Sequence, residues 1–435
     1  MKAIIQKIQK LQAYMPLVPL FFLVSCTVFE SDTVILWTDR PEFALYAQYF
    51  NANQSRYHVE VQYFNALTDE LVGAAYLPDI VVGSWLKNAS VRTLFRSLND
   101  LFKNDVIASE DFYPKLLALG NIEEVQYLLP VSFNLPTLVY SQNNSSFINN
   151  QFVLEPEEIK SLGQSYNISN VEGAGVYSRI GFSPAWNDSF LFVMATLYGA
   201  SFREEDTNGW TDEEEEALLW DDSALFKALQ YIREWIHDAN TSIQAEDDFA
   251  FKYFYEPPEK LALSGRILFT YMNSAELFTL VPELRSKLDF RWIASNNSIP
   301  LSEEAVYYGI CKQGKAKTGA VSFTEWFFQV ETQNALLTMS KDMYINESLF
   351  GIAGGFSAMR TVTEQVFPQF YFELLGHIPP EDFLEPPNIL PQQWTALKEK
   401  VILPYLKECI RNKDAESVRS LDRRISEWYR INTNY

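Results

Sequence analysis

Cysteine is almost absent from this chain, three in 435 residues, which excludes a small secreted scaffold held by disulfides. Histidine is equally scarce. His58, His237 and His377 stand far apart with no second ligand at metal-motif spacing, so nothing supports a zinc or histidine-based centre. Positive charge is in deficit throughout, with 35 Lys and Arg against 56 Asp and Glu and a formal charge of −21. A nucleic-acid partner requires a basic face, and none is available. Glycine numbers only 17, and no Gly-x-Ser-x-Gly nucleophile elbow occurs; the nearest approach is Gly354-Gly355-Phe356-Ser357. No apolar run reaches the roughly 20 residues that span a bilayer as a helix. What is present is material for large cores: 47% apolar residues, including 32 Phe, 23 Tyr and 10 Trp, in a length that suits two or three domains.

The amino terminus reads as an export signal. Lys2, Lys7 and Lys10 precede an apolar stretch from Leu17 to Val24 that contains Pro16 and Pro19 at its start. It ends in Leu23-Val24-Ser25-Cys26, which resembles a bacterial lipobox. On this reading residues 1–25 are removed, Cys26 carries the lipid, and 26–32 form a tether. The protein is then exported and lipid-anchored on the periplasmic face of a bacterial membrane or at the cell surface. A plain secretion signal with an incidental cysteine is the alternative. Cleavage removes three lysines and no acid, taking the charge from −21 to −24.

Beyond the tether, elements alternate. Val34-Ile35-Leu36-Trp37 reads as a buried strand, Pro41 to Asn51 as a helix and Val59 to Phe64 as a strand. Asp69 to Ala75 follows as a helix, and Pro78 to Gly83 as a continuous apolar strand. Such a β-α-β-α-β opening predicts a doubly wound sheet whose ligand site lies beyond the carboxyl ends of the strands. Those ends carry Trp37, Thr38, Asp39, Arg40, Ser84 and Trp85. The extended segment from Leu129 to Tyr140 leads into a polar run, Ser141 to Asn150, read as the first domain boundary. A helix behind Asp222, a strand ending at Met272, a return crossing near Ile299 to Ala305, a strand Val306 to Cys311 and one long helix from Thr318 to about Met339 follow. The end, from Gln392, reads as two or three helices.

Several signals have simpler readings. Gly309 to Lys315 matches a phosphate loop up to its last position, where Ala316 replaces the Ser or Thr that holds Mg²⁺, so a solvated loop is the better account. Glu213 to Glu216 reads as an exposed helix start. Asp39 and Glu42 are candidates for a carboxylate pair on a glycan, or else complement the start of their helix. Trp235 and Trp326 fall on helices whose apolar faces need filling.

In their order, Val34 to Asp39, Pro78-Asp79-Ile80-Val81, Leu129 to Tyr140, Gly181-Phe182-Ser183-Pro184-Ala185-Trp186 and Glu325-Trp326 resemble the carbohydrate-type extracellular solute-binding proteins of ABC importers, family 1. That resemblance implies an α/β protein of two doubly wound lobes joined by a multi-strand hinge, of the periplasmic-binding-protein type II kind. It maps 33–139 with 302–345 to the amino-terminal lobe and 140–301 with 346–435 to the carboxy-terminal lobe. Cys311 and Cys409 then lie in different lobes as free thiols. It further implies a sugar or oligosaccharide ligand, an ABC permease partner, the membrane reached only through the lipid, a monomer, no cofactor, no metal and no catalysis. The ligand residues it implies are Trp37, Asp39, Arg40, Glu42, Ser84, Trp85, Trp186, Asn187, Asn273, Ser274, Gly355, Phe356 and Ser357, with Gly354 beside them. Ser132 and Asn134 are read as satisfying backbone groups at the hinge. The alternatives are an exported glycan-processing enzyme and a surface adhesion or signalling lipoprotein on the same frame.

Overall fold

The computed structural model describes residues 32–104, 106–149, 151–171, 175–204, 218–412 and 418–432. The export signal, Cys26 and the Glu213 to Glu216 run lie outside the described residues. The chain opens as β1 (Asp32–Thr38), α1 (Glu42–Asn53), β2 (Tyr57–Tyr63), α2 (Leu67–Gly73) and β3 (Ile80–Gly83). β1 pairs in parallel with both β2 and β3, as short helical crossovers between strands require. All four residues of β3 are buried, which accounts for its unbroken apolar run.

The segment read as one extended stretch is two strands in different sheets. β4 (Leu128–Phe133) belongs to the first sheet and β5 (Pro136–Ser141) to a second. The lobe boundary therefore falls at Asn134-Leu135, before the polar run at 141–150, because Pro136 to Ser141 already pair with second-lobe strands. The second lobe continues with α3 (Asp188–Leu197), α4 (Asp222–Asn240), α5 (Ile243–Tyr253), β6 (Phe269–Asn273) and β7 (Leu288–Ile293). Its sheet runs β6-β5-β7 and ends on Val153–Leu154; β5 is antiparallel to both neighbours.

The chain returns through 294–305 to β8 (Val306–Ile310), which lies antiparallel between β3 and β4. The helix expected from 318 to 339 is two, α6 (Lys317–Phe327) and α7 (Val330–Asp342). Gln329 is extended at φ −104°, ψ 140°, and Gln333 Nε2 donates to the Phe327 carbonyl that the break leaves free. β9 (Phe356–Ser357) then closes the first sheet, giving the order β9-β4-β8-β3-β1-β2. Residues 346–385 were expected in the carboxy-terminal lobe. Instead β9 pairs with β4 in the first sheet, and Phe350, Ile352, Phe356, Phe367 and Leu384 join a core that holds residues of β1, β4 and β8 together with Phe290 and Trp292 of β7. The chain enters the second core only from Leu390, through α8 (Leu403–Arg411) and α9 (Leu421–Asn432).

Three crossings thus join the lobes, at 134–135, 294–305 and 386–389, and Asn134 ties the first to the second and to both lobes. Its Nδ2 donates to the Gly354 carbonyl at 2.9 Å, its Oδ1 accepts from Ser274 Oγ at 2.6 Å, and its carbonyl accepts from Ser302 N at 2.9 Å. Ser132 Oγ donates to the Ala353 carbonyl at 3.1 Å. Both side chains satisfy backbone groups at the hinge.

Cys311 and Cys409 are buried, unbonded thiols in separate cores. Trp235 is fully buried and Trp326 packs on the first core. The phosphate-loop resemblance is resolved by Asp79, whose carboxylate accepts from Ala316 N at 2.7 Å and Ile35 N at 2.9 Å. A Cβ on Gly314 would lie 2.9 Å from the same carboxylate, so an acidic side chain fills the place a phosphate would need.

Candidate functional site

The lobes face each other across a cleft built on the carboxyl ends of β1 and β3. β1 ends at Thr38, whose Oγ1 accepts from Arg40 N at 2.9 Å and turns the chain. Asp39 reaches the end of β3, accepting from Ser84 N at 3.1 Å and lying 3.3 Å from Arg40 Nε. Arg40 Nη2 donates to Ser84 Oγ, which donates onward to the Glu304 carbonyl at 3.2 Å. Gly83 is required here: a Cβ would lie 2.5 Å from Leu67 and 2.8 Å from Asp39 Oδ1. Burial raises the Asp39 carboxyl above its ordinary value, against the opposing pull of Arg40 and Ser84 N–H. Burial likewise raises Glu42, which is 8% exposed at the start of α1.

The second lobe contributes α3, capped by Asn187, whose Oδ1 accepts from Phe190 N at 3.1 Å. The cap directs Ser189, Phe192, Val193 and Thr196 toward the cleft. β6 delivers Tyr271 and Asn273, the latter in a capping box with Glu276. Lys398 crosses from the carboxy-terminal helices to Glu303 at 2.6 Å while its Nζ lies 4.2 Å from the centre of the Phe192 ring.

Two chambers result. The first, about 420 Å³, lies between Arg40, Asn134, Gly354, Tyr271, Asn273 and the 300–304 crossing, with Phe192 and Phe202 as apolar wall. The second, about 440 Å³, lies between Asp39, Asn65 to Asp69, Ser84 and Trp85 on one side and Gln392, Gln393, Thr395, Trp428 and Asn432 on the other. The Arg40–Ser84–Glu304 chain forms their common wall. Across the second chamber Gln392 Nε2 donates to Asp69 Oδ1 at 2.5 Å. Each volume falls within the range of small-molecule sites. Three carboxylates and two cations line the first chamber: Lys398 faces Glu303, Glu385 reaches Lys115 outside it, Arg40 faces Asp39, and burial raises the Glu304 carboxyl.

Of the residues expected at a ligand, Arg40, Asn273 and Gly354 line the first chamber, and Asp39, Ser84 and Trp85 the second. Glu42 lies behind the first chamber, with its Oε1 3.7 Å from a Cβ built on Gly354. Trp186 and Asn187 line a third cavity, inside the second lobe. Trp37 lines none of the three; its ring packs on Phe64 at 4.7 Å. Ser274 is buried, its hydroxyl consumed by Asn134 and Leu135 N. Gly355, Phe356 and Ser357 are backbone and core. A Cβ at Gly355 would meet the Phe133 carbonyl at 2.6 Å, Phe356 is 1% exposed, and Ser357 Oγ donates to Gln333 Oε1 at 2.5 Å. β9 makes them the edge of a sheet, which two residues of strand are too short to announce in a sequence.

Phe192, Tyr271, Glu303, Lys398, Gln392 and Trp428 were not anticipated. Tyr271 lies in an apolar strand next to its polar end and was the most legible of them. Phe192 sits in Phe190-Leu191-Phe192-Val193, a helix apolar on all sides, where no pattern separates cleft from core.

The segment carrying Trp186 is held by a buried polar network. Ser183 Oγ donates to Glu246 Oε2 at 2.5 Å, and Asn240 Nδ2 donates to Glu246 Oε1 at 2.6 Å and to the Phe182 carbonyl at 2.9 Å. Burial pushes the Glu246 carboxyl up to about 7. The native state then holds a proton that the unfolded chain releases above about 4.5, so this group's contribution is greatest below that pH and is lost as pH rises to 7. Relative to Glu246→Gln, the wild type is expected to lose about 2–3 kcal/mol between pH 4.5 and 7.5. Urea unfolding of both proteins at the two pH values checks this; a constant difference would show that Glu246 does not retain its proton on folding.

No protein-family model and no curated protein sequence matches the chain. Solved structures do. The sugar-binding protein MalE from Xanthomonas citri superposes with a TM-score of 0.63 at 12% identity, over 92% of this chain and 96% of that one. The chain has the fold of the sugar-binding proteins of ABC transporters. The same binding-protein fold recurs in the cyclic α-maltosyl-1,6-maltose binding protein from Arthrobacter globiformis, with a TM-score of 0.56 at 16% identity over 91% and 96% of the two chains. It recurs again in the galacto-N-biose/lacto-N-biose I-binding protein of the ABC transporter from Bifidobacterium longum, with a TM-score of 0.54 at 12% identity over 92% and 97%. The binding-protein fold agrees with the two-lobed α/β architecture and multi-strand hinge expected from the sequence. Among the described residues no group of His, Cys, Asp and Glu could hold a metal ion, and no helix is long and apolar enough to cross a membrane.

Proposed function

We propose that the protein is the solute receptor of an ABC importer, capturing a sugar or oligosaccharide between its lobes and presenting the closed form to a membrane permease. The observation that carries this reading is the first chamber. Phe192, Phe202 and Tyr271 supply faces for the C–H surface of a sugar ring, while Arg40, Asn273 and Glu304 supply planar polar groups for its hydroxyls. The excess of carboxylates over cations in the lining disfavours an anionic solute. Closure needs no chemical step: a solute touching both lobes favours the closed form by its differential affinity. The reading includes export and anchoring through a lipid on Cys26, on the periplasmic face of the membrane or at the cell surface, with the folded body acting as a monomer.

Native mass spectrometry of the protein purified from cells, followed by a thermal-shift panel of neutral mono- and oligosaccharides, tests it. A bound sugar that raises Tm, and whose affinity falls at least about tenfold in Arg40→Ala, is the expected result. Arg40 holds Asp39 and Ser84 in place as well as lining the chamber, so its loss disturbs both sides of the common wall. Hydrolysis of an oligosaccharide that stops in Asp39→Asn would overturn the reading in favour of a glycan-processing enzyme.

A further inference from the structure

The third cavity, about 220 Å³, lies within the second lobe beside the cleft. Its walls come from Phe182, Trp186, Phe254, Phe269, Met272 and Leu280. Two polar side chains at its edge are partly committed. Asn187 Oδ1 caps Phe190 N, and Glu276 Oε2 accepts from Asn273 N at 2.8 Å. Thr270 and Tyr271 also line it, so the cavity has a largely aromatic body with hydroxyl groups at its edge. Its aromatic walls are fixed: Trp186 stacks on Phe249 with 16° between planes and meets Phe254 edge-on at 4.8 Å. The buried Glu246 network pins the chain just before Trp186. Trp186 Nε1 has no hydrogen-bond partner among the described residues and is itself buried. Tyr271 lines both this cavity and the first chamber of the cleft.

We propose that this cavity is a subsite for one aromatic ring, the apolar end of a solute whose polar part occupies the first chamber. Size argues for a single ring, since an apolar cavity of about 150 Å³ already accepts benzene. Chemistry argues for an aromatic guest, because Phe182, Trp186, Phe254 and Phe269 supply aromatic walls. Continuity argues for a conjugate, because one side chain, Tyr271, separates the ring-sized cavity from the sugar-sized chamber. The solute class is then a glycoside with an aryl aglycone. That the ring and the sugar belong to one solute rests on the receptor reading; the ring site itself does not.

The test is titration of the full chain with p-cresol, followed through the ¹⁵N-indole resonances, with the Trp186 signal assigned by Trp186→Phe. Saturable movement of the Trp186 resonance is expected, with affinity at least about tenfold weaker in Leu280→Trp, where the larger side chain fills the cavity. Absence of a saturable shift at Trp186 in the wild type overturns the proposal. So does equal affinity in Leu280→Trp, once its melting curve shows that it is folded. Because p-cresol carries no sugar, this readout is unmoved if the solute proves not to be a carbohydrate, and a sugar that binds normally does not rescue it.

Discussion

Phe356→Ala is expected to lower stability by about 3–5 kcal/mol, read as a fall in the urea midpoint. The ring is 1% exposed and meets Phe350 at 4.9 Å, Phe367 at 5.5 Å, Phe133 at 5.7 Å, Trp292 at 5.9 Å and Phe278 at 6.0 Å. Phe133 belongs to β4 in the first sheet and Trp292 to β7 in the second, so this one side chain packs against both lobes where the crossings meet. Truncation leaves a void bounded by rigid rings that cannot collapse into it, which places the loss at the upper end for core deletions. Phe372, 70% exposed, serves as the contrast, with Phe372→Ala expected within about 0.5 kcal/mol. A loss below 1 kcal/mol at Phe356 would mean that the lobes do not share an apolar core. The cluster also bears on function: opening of the cleft must pivot about it, because separating these rings would expose apolar surface that the far side of the molecule keeps buried.

Lys87→Met is expected to stabilise the protein at pH 6 by about 3–5 kcal/mol, with the gain shrinking as pH rises from 7 to 10.5. The Lys87 side chain is 9% exposed and its Nζ has no hydrogen-bond partner, only the Tyr307 ring 4.8 Å away. Burial lowers the amine to about 7 from its usual 10.5. Between these values the unfolded chain binds a proton that the native state does not, so wild-type stability rises with pH over that window. Below 7 the native state carries the buried charge and its full cost, offset in part by the aromatic face. Methionine matches the stem of lysine in volume and has no charge to bury. Urea midpoints of both proteins at pH 6 and pH 10.5 decide the matter. A difference that is the same at both would show that water reaches the amine.

The sequence was legible wherever neighbours along the chain settle the outcome. Val34 to Thr38 and Ile80 to Gly83 are apolar runs of strand length, Tyr57 to Tyr63 alternates apolar and polar residues, and with short helices between them they pair as that order requires. Asn134, flanked by two prolines in an extended segment, was recognisable as a hinge residue. The helix break at Gln329 was not, because Phe323, Phe327, Val330 and Asn334 keep a helical repeat straight across it. Trp37 and Trp85 illustrate the limit for the site. Both stand at the carboxyl end of a parallel strand, yet one turns onto Phe64 and the other faces the second chamber. Trp85 has φ +64°, a backbone turn that no neighbouring glycine signals.

By itself the sequence determined the alternation of strand and helix, the crossover hand it imposes and the strand ends at which a site must form, since these depend on local sterics and on apolar periodicity. The order of its motifs also carried the type of fold. Only the tertiary structure decided that Phe356 and Ser357 complete the first sheet, which aromatics face the cleft, and that Phe192, Lys398 and Trp428 stand beside Arg40 and Trp85. The reason is physical. An aromatic side chain gains much the same free energy from burial in either core or against a ligand, so its type cannot report its destination. That choice is made by close packing among segments more than a hundred residues apart, which no local pattern encodes.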